Sequence, residues 1–286
     1  MRRMMIALAT TFGLFASPMV TEVAEAKSET EACDGCKALL ELALANPLRK
    51  DDRARDVYRH PAETLAFFGV QPTMKVGEYA PGGGWYSRVL GLYLGQQGKF
   101  SGLFFDPTSS AFKDETKTSI RAAAAKFPQD TAGWTGLPAE RFGGFTLDAI
   151  PEGEKGTFDR ILVIRMMHNL MRWNTADSEI RAMRSLLKDG GMLGIVQHRA
   201  KPKAPFAYSD GSKGYLREAD VIKFMEVNGF DFVAKSQVNA NPKDSADWPE
   251  GVWTLPPSYG LKEVDKAKYQ AIGESDRMTL LFRKRP

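Results

Sequence analysis

From Met74 to Arg285, short apolar runs take turns with longer stretches whose apolar residues recur at helical spacing, and nothing else in the chain restricts its fold as much. The short runs are "MKVGEY", "KFSGLFFD", "FGGFTLDAI", "FDRILVIRMM", "GMLGIVQH", "DFVAKSQV" and "RMTLLFRKR". Between them lie "WYSRVLGLYLGQQG", "SSAFKDETKTSIRAAAAKF", "TADSEIRAMRSLLKDGG" and "READVIKFMEVNGF". This α/β alternation predicts a mostly parallel sheet with helices on both faces. Right-handed crossovers then bring the C-terminal ends of the parallel strands to one edge, where such sheets bind ligands. At 286 residues and 43% hydrophobic content, the chain is long enough for one large core. Ahead of the first strand, "CKALLELALANPL" and "RDVYRHPAETLAFFGV" carry helical patterns, with Pro61 in the first turn of a helix.

Four features fall on the ligand-binding edge. The stretch "VGEYAPGGGWYSRVL" places Gly82, Gly83 and Gly84 between the first strand and the helix after it. Three glycines weaken helix and strand alike, because bare backbone loses the most entropy on ordering. Their use is close approach: a ligand can lie against the backbone, with the following helix's N–H groups turned toward it. Asp106 ends the second strand, 22 residues beyond Gly84, and is suited to accept hydrogen bonds from a pair of ribose hydroxyls. His168 follows "ILVIRMM", and His198 ends "GIVQH". Together these predict a nucleoside site.

The kind of nucleoside depends on the turn. A dinucleotide site favours G-x-G-x-x-G, and here Gly82 and Gly84 are followed by Ser87, a small residue that keeps an NAD-type reading open. Glu78, just ahead of the turn, argues for something else. A carboxylate there repels a pyrophosphate but suits a ligand bearing an ammonium or sulfonium group.

The same stretch resembles motif I of the class I S-adenosylmethionine-dependent methyltransferases, an acid followed by a Gly-rich turn. Most of residues 55–286 is similar to a group of exported bacterial methyltransferase-like proteins. The resemblance rests on "RDVYRHPAETLAFFGV", "EYAPGGGWYSRVL", "HNLMRW", "LKDGGMLGIVQHRA", "GYLREADVIKFMEVNGF", "NANPKDSADWPEGVWTLPPSY" and "DRMTLLFRKRP". It implies a Rossmann-like, seven-stranded sheet whose last strand is antiparallel, with S-adenosylmethionine as cofactor. Glu78, Gly82, Gly83 and Gly84 would then form the cofactor turn, Asp106 would hold the ribose, and Asp148 would face the adenine edge. Ala80 and Pro81 depart from the family pattern, which prefers a glycine at the start of the turn. Trp85 and Tyr86 would lie near the sulfonium, or else pack the first helix onto the sheet. Methyl transfer asks mainly for an acceptor held in line, with a base to take its proton. His168 and His198 are the candidates for that role, and their structural alternatives are a helix cap and a bond across the strand ends.

The termini and the composition add a compartment and some rivals. "MRRMM" followed by "IALATTFGLFASPMV" and "AEA" predicts a signal peptide over residues 1–26, cleaved after Ala26. Residues 27–70 then form an N-terminal helical extension and 71–286 the methyltransferase-like domain, with 239–275 as a lid-like insertion before the last strand. The mature protein is expected in the periplasm or secreted, without lasting membrane insertion. In that setting Cys33 and Cys36, the only cysteines, read most simply as a small disulfide loop, with a redox-active pair as the alternative. Lys37 stands where a c-type haem site needs histidine. Net charge is +4 with no dense basic block, which argues against nucleic acid, and the aromatic lid-like segment with Trp248, Trp253 and Tyr259 points to a small molecule as the partner. Export sits awkwardly with a cytosolic methyl donor. A non-catalytic or altered-ligand protein on the same fold therefore stays open. So does a metal-binding protein using His60, His168 and His198, with Met166 or Met167.

Overall fold

Strands covered on both faces need apolar side chains on both sides, and the central runs of this chain supply them. A computed structural model describes residues 35–286. Three helices precede the sheet: α1 (Cys36–Ala45), α2 (Asp56–Arg59) and α3 (Pro61–Phe67). Then follow β1 (Lys75–Tyr79), α4 (Trp85–Leu94), β2 (Lys99–Phe104), α5 (Asp114–Thr135), β3 (Phe142–Thr146) and β4 (Phe158–Ile164). The second half runs α6 (Met167–Arg172), α7 (Ala176–Leu186), β5 (Leu187–His198), α8 (Phe206–Ser209), α9 (Glu218–Val227), β6 (Phe230–Ser236), α10 (Lys266–Ile272) and β7 (Arg277–Lys284).

The seven strands form one sheet in the order β3-β2-β1-β4-β5-β7-β6. β1 to β5 pair in parallel, and β7 runs antiparallel to both its neighbours. This is the fold the sequence predicts. Two boundaries move. The helix expected over "TADSEIRAMRSLLKDGG" stops at Leu186, and β5 begins at Leu187, ahead of Gly191. α5 continues through Pro128 to Thr135, although proline has no N–H to return to Ala124. Further along that helix, the Thr131 and Thr135 hydroxyls donate back to the carbonyls of Phe127 and Thr131.

Alternation along each strand divides the core into two layers. Tyr79, Ile161, Val163, Leu193 and Ile195 face α7 and α9, packing on Ile180, Met183 and Met225. Val76, Leu162, Ile164, Met192 and Val196 face the other way, against Leu65, Phe68, Val89 and Leu90. Each fully buried Val, Leu or Phe contributes roughly 1.5–3 kcal/mol. Two such layers hold the sheet firmly and leave the strand ends free to carry polar groups.

Residues 239–275 form no strand, yet they are tied down. Asp244, fully buried, accepts from Trp248 Nε1 at 2.7 Å, the Tyr215 hydroxyl at 3.1 Å, and the Ala246 and Asp276 amides at 2.8 Å each. Asn241 donates to the carbonyls of Ile272 and Glu274. A carboxylate with this many donors anchors the segment beside the end of β7. Cys36 is disulfide-bonded, and the other cysteine of the chain, Cys33, lies outside the described residues. The expected signal peptide and its cleavage site at Ala26 lie there too. No described helix is long and apolar enough to cross a membrane.

Candidate active site

After β1 the chain builds outward to β2 and β3, then returns across the sheet to β4 on the other side of β1. A crevice opens where strand order reverses in this way. Here it is a cavity of about 470 Å³, in the range of small-molecule sites. Glu78, Gly82 and Gly83 wall it on the β1 side, and Arg165, Met166 and His168 after β4. His198 at the end of β5, Arg55 and Arg59 from the N-terminal helices, and Trp253 and Glu274 near β7 complete it. The long segment before β7 thus contributes to the site.

The turn after β1 is held by backbone conformation. Ala80, Gly82 and Gly84 have φ of 49°, 59° and 74°. For Ala80 this left-handed geometry costs on the order of 1 kcal/mol, which a glycine would avoid. Gly84 is fixed by packing, since a Cβ there would stand 2.6 Å from the Trp134 ring. Gly83 differs: it lines the cavity, its φ is not left-handed, and a Cβ would meet nothing within 4 Å. Neither conformation nor crowding demands glycine at 83. The space over it is open to a ligand, and α4 starts two residues later. Trp85 lines the cavity, but its cation–π partners are this chain's own Arg59 and Arg49, at 4.5 and 5.3 Å. Its Nε1 donates to the Asp52 carbonyl.

Glu78, only 3% exposed, accepts from Ser87 at 2.6 Å, a bond between the end of β1 and the first turn of α4. Burial pushes its pKa up to about 8, against the Ser87 hydrogen bond and the charges of Arg165, Arg88 and Arg59. It is therefore largely protonated at neutral pH.

His168 in the first turn of α6 and His198 at the end of β5 have ring centroids 5.5 Å apart, and Trp253 lies 5.9 Å from His168. The Gln197 amide nitrogen donates to the carbonyls of His198 and Gly214, so its Oε1 is the atom facing His168 Nδ1 at 3.2 Å. Nδ1 must then carry the proton, which leaves a lone pair on Nε2. Burial, only partly offset by Gln197, brings the pKa of His168 down to about 4. His198 is held well below the usual imidazole value by burial and then by His168, and its Nδ1 lies 2.5 Å from the Ser275 hydroxyl. Both rings are neutral at physiological pH.

The opposite wall is one that sequence reasoning missed. Glu274, 5% exposed, pairs with Arg55 at 2.7 Å, Arg59 at 3.3 Å and Arg277 at 3.0 Å. Burial alone would raise its pKa, but Arg277, Arg59 and Arg55 outweigh that and hold it below the ordinary value. The local signals are the four-residue spacing of Arg55 and Arg59 and the three-residue spacing of Glu274 and Arg277, and neither announces burial.

Other predicted site residues are not brought here. Asp106 is absent from the cavity lining. Its Oδ1 accepts from the Thr108 amide and hydroxyl, and its N–H donates to Glu179. Beside it Phe105, Phe112 and Trp173 pack with centroids 5.3–5.6 Å apart. Asp148 pairs with Arg121 at 2.7 Å. His60 ends α2 and lines a different cavity, with Asn239 and Asn241. Met166 reaches the central cavity while Met167 is buried in the core. The three histidines are not assembled, and among the described residues no group of three or more His, Cys, Asp and Glu is arranged to hold a metal ion.

No family model and no curated protein matches the chain by sequence. Solved structures match it by shape. An S-adenosylmethionine-dependent methyltransferase from Aquifex aeolicus aligns at 16% identity and TM-score 0.50, over 87% of this chain and 98% of that one. A putative sarcosine dimethylglycine methyltransferase from Galdieria sulphuraria aligns at 14% and 0.51, over 84% and 89%. Geranyl diphosphate C-methyltransferase from Streptomyces coelicolor, solved with Mg²⁺, geranyl diphosphate and S-adenosyl-L-homocysteine, aligns at 14% and 0.53, over 85% and 87%. At such identities the likeness establishes the fold: the chain has the Rossmann-like architecture of these methyltransferases.

Proposed function

We propose that the protein is an S-adenosylmethionine-dependent methyltransferase acting on a small molecule. The observation that carries this reading is the open backbone cradle at Gly83, in a small-molecule cavity at the strand-order reversal that two neutral histidines also line. S-adenosylmethionine, when bound, supplies an electrophilic methyl group. Gly82 and Gly83 leave room for it, and Glu78 offers a carboxyl group that can ionise beside a cation. Asp106 remains the ribose candidate, since both bonds within its own loop use Oδ1.

The chain's own contribution is positioning. Orientation of bound reactants can supply roughly 7–11 kcal/mol of a barrier. Gln197 fixes the His168 ring so that Nε2 can accept a hydrogen bond from an acceptor's hydroxyl, thiol or amine. A base this weak suits holding such a proton in line better than storing it. His198 and Trp253 flank that ring and limit how it turns.

Differential scanning fluorimetry with S-adenosylmethionine, S-adenosylhomocysteine and NAD tests the reading. At 100 times its dissociation constant, a ligand adds about 2.7 kcal/mol to stability. The two sulfur nucleosides should shift the melting temperature and NAD should not, and Asp106→Ala should abolish the shift. No response to either sulfur nucleoside would move the protein to the altered-ligand class. Export is part of the same proposal: the periplasmic or secreted protein should begin at Lys27, and mass spectrometry finding residues 1–26 still attached would remove it.

A further inference from the structure

The cavity has an excess of cations that its own carboxylates do not match. Arg59 and Arg277 are 1% and 3% exposed, and with Arg55 they share the single carboxylate of Glu274. Arg165 is outside that set of ion pairs. Of the other acids lining the cavity, Asp51 is exposed to solvent, and the two buried ones are engaged or neutral. Asp52 receives Arg88 through both carboxylate oxygens, and Glu78 is held protonated by burial. Arg59 reaches Glu274 only through Nε, and its Nη1 and Nη2 are buried with no hydrogen-bond partner. Arg165 Nε is likewise buried and unpartnered. Both residues line the cavity.

Burying guanidinium donors without a protein partner is costly, because a buried polar group needs another to replace its hydration. The backbone adds to that cost. Arg165 sits at the end of β4 with φ 58°, a left-handed geometry that for a long side chain costs on the order of 1–3 kcal/mol. Burial and then Arg165 bring the pKa of Arg59 down to about 9, while burial and then Arg277 bring Arg165 to about 10, so both remain charged at neutral pH. Guanidinium forks of this kind match the geometry of carboxylates and phosphates.

We propose that Arg59 and Arg165, backed by Arg55 and Arg277, form a subsite for an oxyanion, a carboxylate or phosphate group of the small molecule held in this cavity. The subsite lies in the proposed transferase site but does not require the donor. Its ligand group has two sources: the carboxylate of the donor's amino-acid moiety, or an acidic group on the methyl acceptor.

Isothermal titration of the whole protein with inorganic phosphate and with succinate, at constant ionic strength set by chloride, tests it. Saturable binding is expected, weakened at least about ten-fold in Arg59→Gln and in Arg165→Gln. The second variant removes no bond to Glu274, so it reads the subsite even where the first fails to fold. S-adenosylhomocysteine and 5′-methylthioadenosine, which lacks the carboxylate, separate the sources. Loss of affinity for the former alone assigns the oxyanion to the donor. Phosphate or succinate still binding with S-adenosylhomocysteine saturating assigns it to the acceptor. Anion binding without nucleoside binding keeps the subsite and removes the methyltransferase reading. No saturable anion binding by the wild type, or unchanged affinity in both variants, overturns the subsite.

Discussion

The glycine-turn wall and the arginine wall face the same cavity, and each presents one buried glutamate. Glu78 and Glu274 are 3% and 5% exposed, so solvent treats them nearly alike. Their neighbours do not. Glu78 has one hydroxyl partner and is pushed up to about 8, whereas Glu274 has three guanidinium partners and is held below its ordinary value. Environments that drive two like groups apart assign them different tasks. One is a neutral group able to ionise beside an incoming cation, the other a fixed anion that organises cations. Burial alone therefore does not define a carboxylate's role; the count of partners within reach does.

The largest effect should come from breaking the arginine wall. Glu274→Gln leaves the buried Arg59 and Arg277, and the half-buried Arg55, without their anion and should cost about 3–5 kcal/mol in urea unfolding at neutral pH. A cost below about 1 kcal/mol would mean that these charges are not paired as described. The glycine-turn wall should respond oppositely, and with pH. Between the ordinary 4.5 and the folded value near 8, native Glu78 keeps a proton that the unfolded chain has lost, so stability falls as pH rises through that window. Glu78→Gln does not titrate. Relative to wild type it should gain on the order of 3 kcal/mol between pH 5 and pH 9, read from paired denaturation curves. A flat difference across that range would mean that Glu78 is ionised throughout. The smallest change sharpens the contrast further. Gly83→Ala should alter stability by no more than about 1 kcal/mol, toward stabilisation, because nothing native opposes a methyl there. Its affinity for S-adenosylhomocysteine should fall nonetheless, and unchanged binding would show that the open space over Gly83 is not used.

The sequence by itself determined the seven strands, the main helices and the edge at which their ends gather. Side-chain periodicity is a local property, and sheet handedness leaves few ways to connect such elements. It also placed Glu78, Gly82, Gly83, His168 and His198 at one crevice, because each follows or ends a parallel strand. Only the tertiary structure decided which groups are charged, and which other side chains join them. Arg55 meets Glu274 across 219 residues, and no local pattern reports a contact of that separation. Asp106 follows the expected strand yet commits Oδ1 to its own loop, to the amide and hydroxyl of Thr108 two residues away. Trp85 has the residue type suited to a sulfonium, but its ring is met by Arg49 and Arg59. Protonation state and pairing depend on desolvation and on distant neighbours, and packing alone supplies both.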